Sequence, residues 1–183
     1  GIKTSFHGTS LDVFPEIIDM ASNLMAFRKI NMKDMEVDVS LNSKKTSDSL
    51  GTNNRELADS WKIFLPKAAS DGGQRLPSTV IGKPILGSPR EVSTETFLAI
   101  GPFASEEEAN SALSYLGTRF ARFLVSLRKP GQDNIPSTFA WLPQQIWDRM
   151  WSDDDLYEKY KVTAEEAAHI EAMVKECHFG SQR

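Results

Sequence analysis

Arginine and lysine recur through the middle of this 183-residue chain at spacings that suit an extended anion. Arg119, Arg122, Ser126 and Lys129 stand three or four residues apart, which puts them on one face of a helix, with Arg128 beside them. Lys62, Lys67, Arg75, Lys83 and Arg90 fall in candidate strands and turns upstream. Cations so arranged can neutralise phosphates and release their counterions, a term that supplies affinity without reading sequence. Reading requires donors that reach base edges. Arg75, in a Gly-Gly-Gln-Arg turn, and Arg90, after Gly87-Ser88-Pro89, sit where a guanidinium can pair with guanine O6 and N7, and the amides of Gln74 and Gln132 suit adenine. Thr94 is a further candidate, although the threonine-rich stretch it opens is equally a good strand. A basic face is most often a solvated surface, so the patch as a whole, not any one residue, carries the expectation of polyanion contact.

The elements that must position these residues can be read from periodicity and caps. Ser105 followed by Glu108 forms a capping box, and Glu106, Glu107 and Glu108 suit a helix N-terminus. Ala109, Ala112, Leu113, Leu116, Phe120, Phe123, Leu124 and Leu127 then keep helical spacing up to Pro130-Gly131, which predicts one long amphipathic helix over 105–129. Thr163 with Glu166 opens a second helix whose apolar stripe is Ala167, Ile170, Met173, Val174 and Cys177. Shorter helices are expected around Pro143–Met150 and Asp153–Tyr160, within a helical tail over 142–177. Upstream, WKIFLP (Trp61–Pro66), STVIG (Ser78–Gly82) and ETFLAIG (Glu95–Gly101) read as short strands, punctuated by turns at Asp71-Gly72-Gly73 and Gly87-Ser88-Pro89. Strands followed by helices predict an α+β fold: a small mixed or antiparallel sheet, the long helix and the helical tail. The division is an N-terminal connecting segment, 1–60, and a second part, 61–183. In the first, Phe14, Ile17, Ile18, Ala21, Leu24 and Met25 keep helical spacing, and the polar run NSKKTSDSLGTNNR makes an exposed loop over 42–55.

No constellation for catalysis is present. The chain lacks a phosphate-binding Gly-x-x-x-x-Gly-Lys loop, a Gly-x-Gly-x-x-Gly turn, a Gly-x-Ser-x-Gly elbow and a His-Glu-x-x-His zinc helix. No strand candidate carries the Glu-x-Lys of a magnesium-dependent nuclease. His7, His169 and His178 are scattered; Cys177-His178 lacks a second ligand pair, and His169 reads as a packed or solvated side chain. Asp153, Asp154 and Asp155 precede a helix, where carboxylates cap free N–H groups. Tyr115, Phe120, Phe123, Trp141 and Trp151 read as core rather than as base-stacking platforms. Neither catalytic nor metal-binding residues are assigned.

Composition sets the frame. Hydrophobic residues make up 40% and charged residues 25%, which excludes collagen-like and wholly disordered chains. Apolar runs such as Phe97-Leu98-Ala99-Ile100 are far short of the roughly 18 residues of a membrane span. A lone Cys177 makes no internal disulfide and fits a reducing cytoplasm. The formal charge is -4, yet from Trp61 to Gln132 nine cations meet six anions, while residues 133–183 hold ten anions and five cations. The middle is therefore where a polyanion would land. Gly1 rather than Met opens the chain, so the expectation is a piece of a longer protein.

Several stretches occur in an order that adds to this reading: GIKTSFHG (Gly1–Gly8), WKIFLPKAA (Trp61–Ala69), VIGKPILG (Val80–Gly87), STETFLAIGPF (Ser93–Phe103), EEANSALSYLGTRFARFLVSLRKPGQ (Glu107–Gln132) and WSDDDLYEKYKVTAEEAAHIEAMV (Trp151–Val174). Together they resemble the C-terminal target-recognition region of adenine-specific DNA methyltransferases of bacterial type II restriction-modification systems, including fused endonuclease and methylase proteins. Such enzymes bind S-adenosylmethionine on a glycine-rich turn and hold the flipped adenine with an Asn/Asp-Pro-Pro-Tyr/Phe motif. Neither occurs in these 183 residues. The resemblance therefore implies a part that holds and reads double-stranded DNA, has no cofactor of its own, and depends for methyl transfer on an upstream catalytic domain that binds S-adenosylmethionine. Two alternatives remain open at this stage: a protein-interaction module whose helix over 105–129 docks a partner, and the restriction endonuclease part of a fused enzyme.

Overall fold

Trp61–Pro66 forms β1, and its run of four buried residues, Lys62 to Leu65, marks it as the central strand of the sheet. The structure, a computed structural model, describes residues 56–68, 76–94 and 96–179. The expected helix around Phe14–Met25, the polar loop 42–55, the Asp71-Gly72-Gly73 turn and the candidates Gln74 and Arg75 lie outside the described residues. β1 is flanked by β2 (Ile85–Gly87) and β3 (Phe97–Phe103), giving an antiparallel sheet of order β2-β1-β3. Lys62 pairs with Gly87 and Phe64 with Ile85 on one side; Leu65 pairs with Leu98 and Phe64 with Ala99 on the other. Between the pairs Trp61↔Phe103 and Ile63↔Ile100, two residues of β3, Gly101 and Pro102, face the single residue Lys62. Gly101 takes φ +152 at this bulge, a conformation open to glycine, and a Cβ there would press on the Trp61 carbonyl.

Ser105 caps α1 (Glu106–Gly117) by accepting the Glu108 N–H, and the Glu108 carboxylate accepts the Ala104 N–H at 2.8 Å. The expected single helix then breaks. Thr118 is extended (ψ 148°) and its hydroxyl accepts the Ala121 N–H, so it ends α1 and caps α2 (Arg119–Arg128). α1 packs across β1 and β3, while α2 meets α1, a 3₁₀ turn at Pro136–Phe139, α3 (Asp153–Tyr160) and α4 (Ala164–Met173). Ile63, Leu65 and Ile100 of the sheet share one core with Ala109, Ala112, Leu116, Phe120, Phe123, Leu124, Leu156 and Ile170 of the helices. The class is α+β, as the element pattern implies. Among the described residues no helix is long and apolar enough to cross a membrane.

Two expected elements do not form, and hydrogen bonding explains both. Ser78–Gly82 is not a strand: only Ser78 makes a bridge, to Val174, and Val80 stands at φ +67 inside a three-residue turn closed by the Ile81 N–H on the Thr79 carbonyl at 2.8 Å. Pro143–Met150 is not a helix, because side chains take the main-chain groups a helix would use. Tyr115 Oη donates to the Pro143 carbonyl, Ser111 Oγ to the Arg149 carbonyl and Trp151 Nε1 to the Ile146 carbonyl. Two of the three carboxylates, which lie in the first turn of α3, do cap: Asp155 accepts from the Ser152 N–H of its own helix, and Asp153 accepts the Phe120 N–H at the start of α2.

Candidate nucleic-acid interface

The break at Thr118 changes the fate of the helix cations. Arg122 has no solvent exposure at all. Its Nε donates to the Gly117 and Thr118 carbonyls, Nη2 to Gly117 and Nη1 to the Thr79 carbonyl at 3.2 Å, so the guanidinium covers the negative C-terminal end of α1 and reaches over to the Val80 turn. Burial pulls its pKa below the usual arginine range, with Cys177 and Asp153 pulling the other way. Lys129 is 7% exposed and its Nζ donates to the Val80 carbonyl. Arg119 is partly exposed but bonded to Glu176 at 3.0 Å, with Glu171 at 3.8 Å. The shared basic face expected of Arg119, Arg122 and Lys129 is therefore corrected: two are interior and the third is ion-paired. The physical reason is that the junction of α1 and α2 and the Val80 turn both leave carbonyls without ladder partners, and long cations fill that need.

Lys62 is corrected in the same way. At 1% exposure, its ammonium donates to the carbonyls of Ala58, Ser88 and Glu91 at 2.8, 2.9 and 2.9 Å. Burial lowers its pKa to about 8, against the pull of Glu91 and Asp59. Nothing in its type or spacing separates it from a surface lysine; the signal available was its place inside a continuously apolar strand.

The remaining described candidates stay near the surface, and most gather at one end of β1. Lys67 follows the strand; its N–H donates to the Thr96 carbonyl at 2.9 Å and its carbonyl accepts the Asn134 N–H. The hydroxyl of Thr96 lies 2.6 Å from that of exposed Thr94. Ala68 bridges Asp133, which brings exposed Gln132 alongside, and Gly82 abuts Pro66 and Ala68, which brings exposed Lys83 alongside. Lys67, Lys83, Thr94 and Gln132, separated by up to 65 residues, thus form one rim. Asn134, missed in the sequence, holds that rim by donating Nδ2 to the Pro66 carbonyl at 2.9 Å. Arg90 is exposed too, but at the opposite end of β1, where its N–H donates to the Ala58 carbonyl at 2.7 Å. Arg128 is exposed, with Nε on the Ser137 carbonyl and its guanidinium 5.0 Å from the Trp141 ring centre.

A groove of about 510 Å³ runs past the α1–α2 junction, lined in part by Arg119, Asp153, Asp154, Glu176 and His178. Three carboxylates line it, so it repels a phosphate backbone. Among the described residues no cluster of three metal-ligating side chains occurs. His169 packs edge-on against Phe123, while Tyr115, Phe120, Phe123 and Trp151 are buried, as core aromatics. The helix pair that would dock a partner in the interaction-module alternative is itself the middle of the core. No family model, no curated protein and no solved structure matches this chain.

Proposed function

We propose that the chain is a DNA-recognition part of a type II restriction-modification adenine methyltransferase, holding duplex in register for an upstream domain that binds S-adenosylmethionine. The observation that carries this is the rim. Lys67 and Lys83, with Thr94 and Gln132, come from distant parts of the sequence to the end of β1. They combine the two kinds of group DNA binding needs: cations for phosphate, and uncharged donors and acceptors for base edges. The ordered stretches from WKIFLPKAA to WSDDDLYEKYKVTAEEAAHIEAMV support the particular enzyme class. The rim and the exposed Arg90 and Arg128, not the helix face, make up the footprint in this reading.

The test is fluorescence anisotropy of the full 183-residue chain with a randomised pool of labelled duplexes over a salt series. The expected result is binding that weakens steeply with salt, by about 0.9 logarithmic units per phosphate contact, and enrichment of particular sequences. Absence of binding at low salt would sink the reading. Binding without any sequence preference would leave a polyanion-binding surface and remove the recognition role.

A further inference from the structure

Residues 88–91 make a tight turn fixed from every side. The Glu91 N–H donates to the Ser88 carbonyl at 3.1 Å, and the Glu91 carboxylate accepts the Ser88 N–H at 2.7 Å. Within it Arg90 adopts φ +74, the left-handed region that an L-residue other than Asn, Asp or His seldom occupies. Such a conformation is strained for a side chain of this kind and persists only where the surroundings impose it. Here the imposing group is the buried Lys62 ammonium, which sits beneath the turn and gathers the carbonyls of Ser88 and Glu91, on either side of Arg90. Its third acceptor, the Ala58 carbonyl, also takes the Arg90 N–H, so ammonium and turn share an anchor. Gly87 lets this happen, because a Cβ there would collide with the Phe64 ring and crowd the Lys62 stem.

We infer that Lys62 is a positioning residue for Arg90, and that Arg90, held in this strained turn with its side chain exposed, is a sequence-discriminating contact that reads guanine in duplex DNA. The inference rests on the DNA-binding reading proposed above. A phosphate contact gains little from a fixed backbone, since a flexible lysine serves as a point charge. A bidentate guanidinium contact to O6 and N7 depends on the direction of approach, and preorganising the main chain supplies it.

The experiment compares wild type with Lys62→Met, Arg90→Ala, Arg90→Lys and Glu91→Ala. Each is titrated against the duplex enriched by wild type and against duplexes altered at each guanine of that site, at two salt concentrations. Arg90→Ala and Arg90→Lys are expected to lose about ten- to hundredfold in discrimination at one shared guanine, with Arg90→Lys keeping the salt slope. Lys62→Met should lose discrimination at that same guanine with an unchanged salt slope, because Lys62 touches no phosphate. Should Lys62→Met fail to fold, Glu91→Ala loosens the turn from its exposed side and is expected to lose discrimination there in part. Hydrogen exchange gives a readout without DNA: the Arg90 amide should exchange at least tenfold faster in Lys62→Met, or in Glu91→Ala, while the Leu65 amide keeps its rate. Full discrimination in the Arg90 variants overturns the reading role, and an unchanged Arg90 amide overturns the positioning role. If wild type binds no duplex at low salt, the DNA reading and the Arg90 contact fall together, while exchange still decides whether Lys62 holds the turn.

Discussion

Lys62, Arg122 and Lys129 differ from Lys67, Lys83 and Arg90 in where the oxygen atoms around them come from. The first three sit inside and donate to backbone carbonyls: three for Lys62, three for Arg122 and the Val80 carbonyl for Lys129. The others line the two ends of β1 with their side chains toward solvent to differing degrees. A carbonyl oxygen and a phosphate oxygen ask for the same donor geometry, so residue type and spacing cannot distinguish the two fates. Local backbone conformation can. The interior cations cluster where the chain leaves regular hydrogen bonding: at the end of α1, at Val80 with φ +67 and around Arg90 with φ +74.

The largest expected effect tests the interior class. Arg122→Leu strips the buried Gly117 carbonyl of its guanidinium donors and takes one of two donors from the carbonyls of Thr118 and Thr79, which keep the N–H groups of residue 122 and Ile81, and should cost about 2–3 kcal/mol by urea denaturation. A variant with wild-type stability and a shallower salt slope in DNA binding would erase the distinction between the two classes.

The next effect uses pH. Below pH 8 the Lys62 ammonium is charged in both folded and unfolded chains, and the cost of burying that charge is fully present. Between about 8 and the ordinary lysine value of 10.5 the folded chain has released the proton and the unfolded chain has not. The unfolded state then binds more protons, so the contribution of Lys62 to stability rises with pH across this window and levels off above it. Subtracting the stability profile of Lys62→Met, which lacks the titrating group, should isolate that rise. A flat difference between pH 8 and 10.5 would mean that the ammonium is not desolvated as its burial implies. Neutral Lys62 also has two N–H donors for three carbonyls, so discrimination at the guanine assigned to Arg90 should decline above pH 8.

Much of the fold was legible because its signals are local. WKIFLP is the central strand, and the caps at Ser105 and Thr163 each accept the backbone N–H three residues on. The failures arise where a distant group decides. Thr79-Val80-Ile81 has strong strand propensity, yet Arg122 and Lys129 claim the carbonyls of Thr79 and Val80 from 43 and 49 residues away. The helical spacing from Ala109 to Leu127 is real, and Gly117-Thr118 interrupts it only because Thr118 caps the second segment. Of the described candidates, those on turns stay near the surface, as does Arg128 at the end of α2, while Arg122 and Lys129 are interior. An amphipathic pattern tells which face is apolar, but not whether the polar face is covered by another segment. Here residues 78–81 and Phe179 cover it, the latter with its ring 5.8 Å from Arg122.

The rim is tested by Lys67→Ala with Lys83→Ala. If both meet phosphate, the salt slope should fall by about two units in the double variant, with stability within about 0.5 kcal/mol of wild type. A loss of stability with an unchanged slope would move these two into the interior class.

Arg128 carries the smallest expected effect and marks the boundary between the classes. It shares a trait with each: Nε donates to a carbonyl, that of Ser137, as the interior cations do, while the residue itself is exposed like those of the rim. Its guanidinium near the Trp141 ring is a cation–π contact worth about 0.5–1 kcal/mol at an exposed site. Resting on the ring and tied through Nε, the group keeps its other N–H donors for a phosphate, in an orientation already fixed before binding. Arg128→Lys retains the charge but loses the planar face and the Nε donor. It should therefore lower stability by that small amount and keep the salt slope, whereas Arg128→Ala should lower stability similarly and shallow the slope by about one unit. Equal slopes for wild type, Arg128→Lys and Arg128→Ala would place Arg128 with the interior cations and confine phosphate contact to the ends of β1.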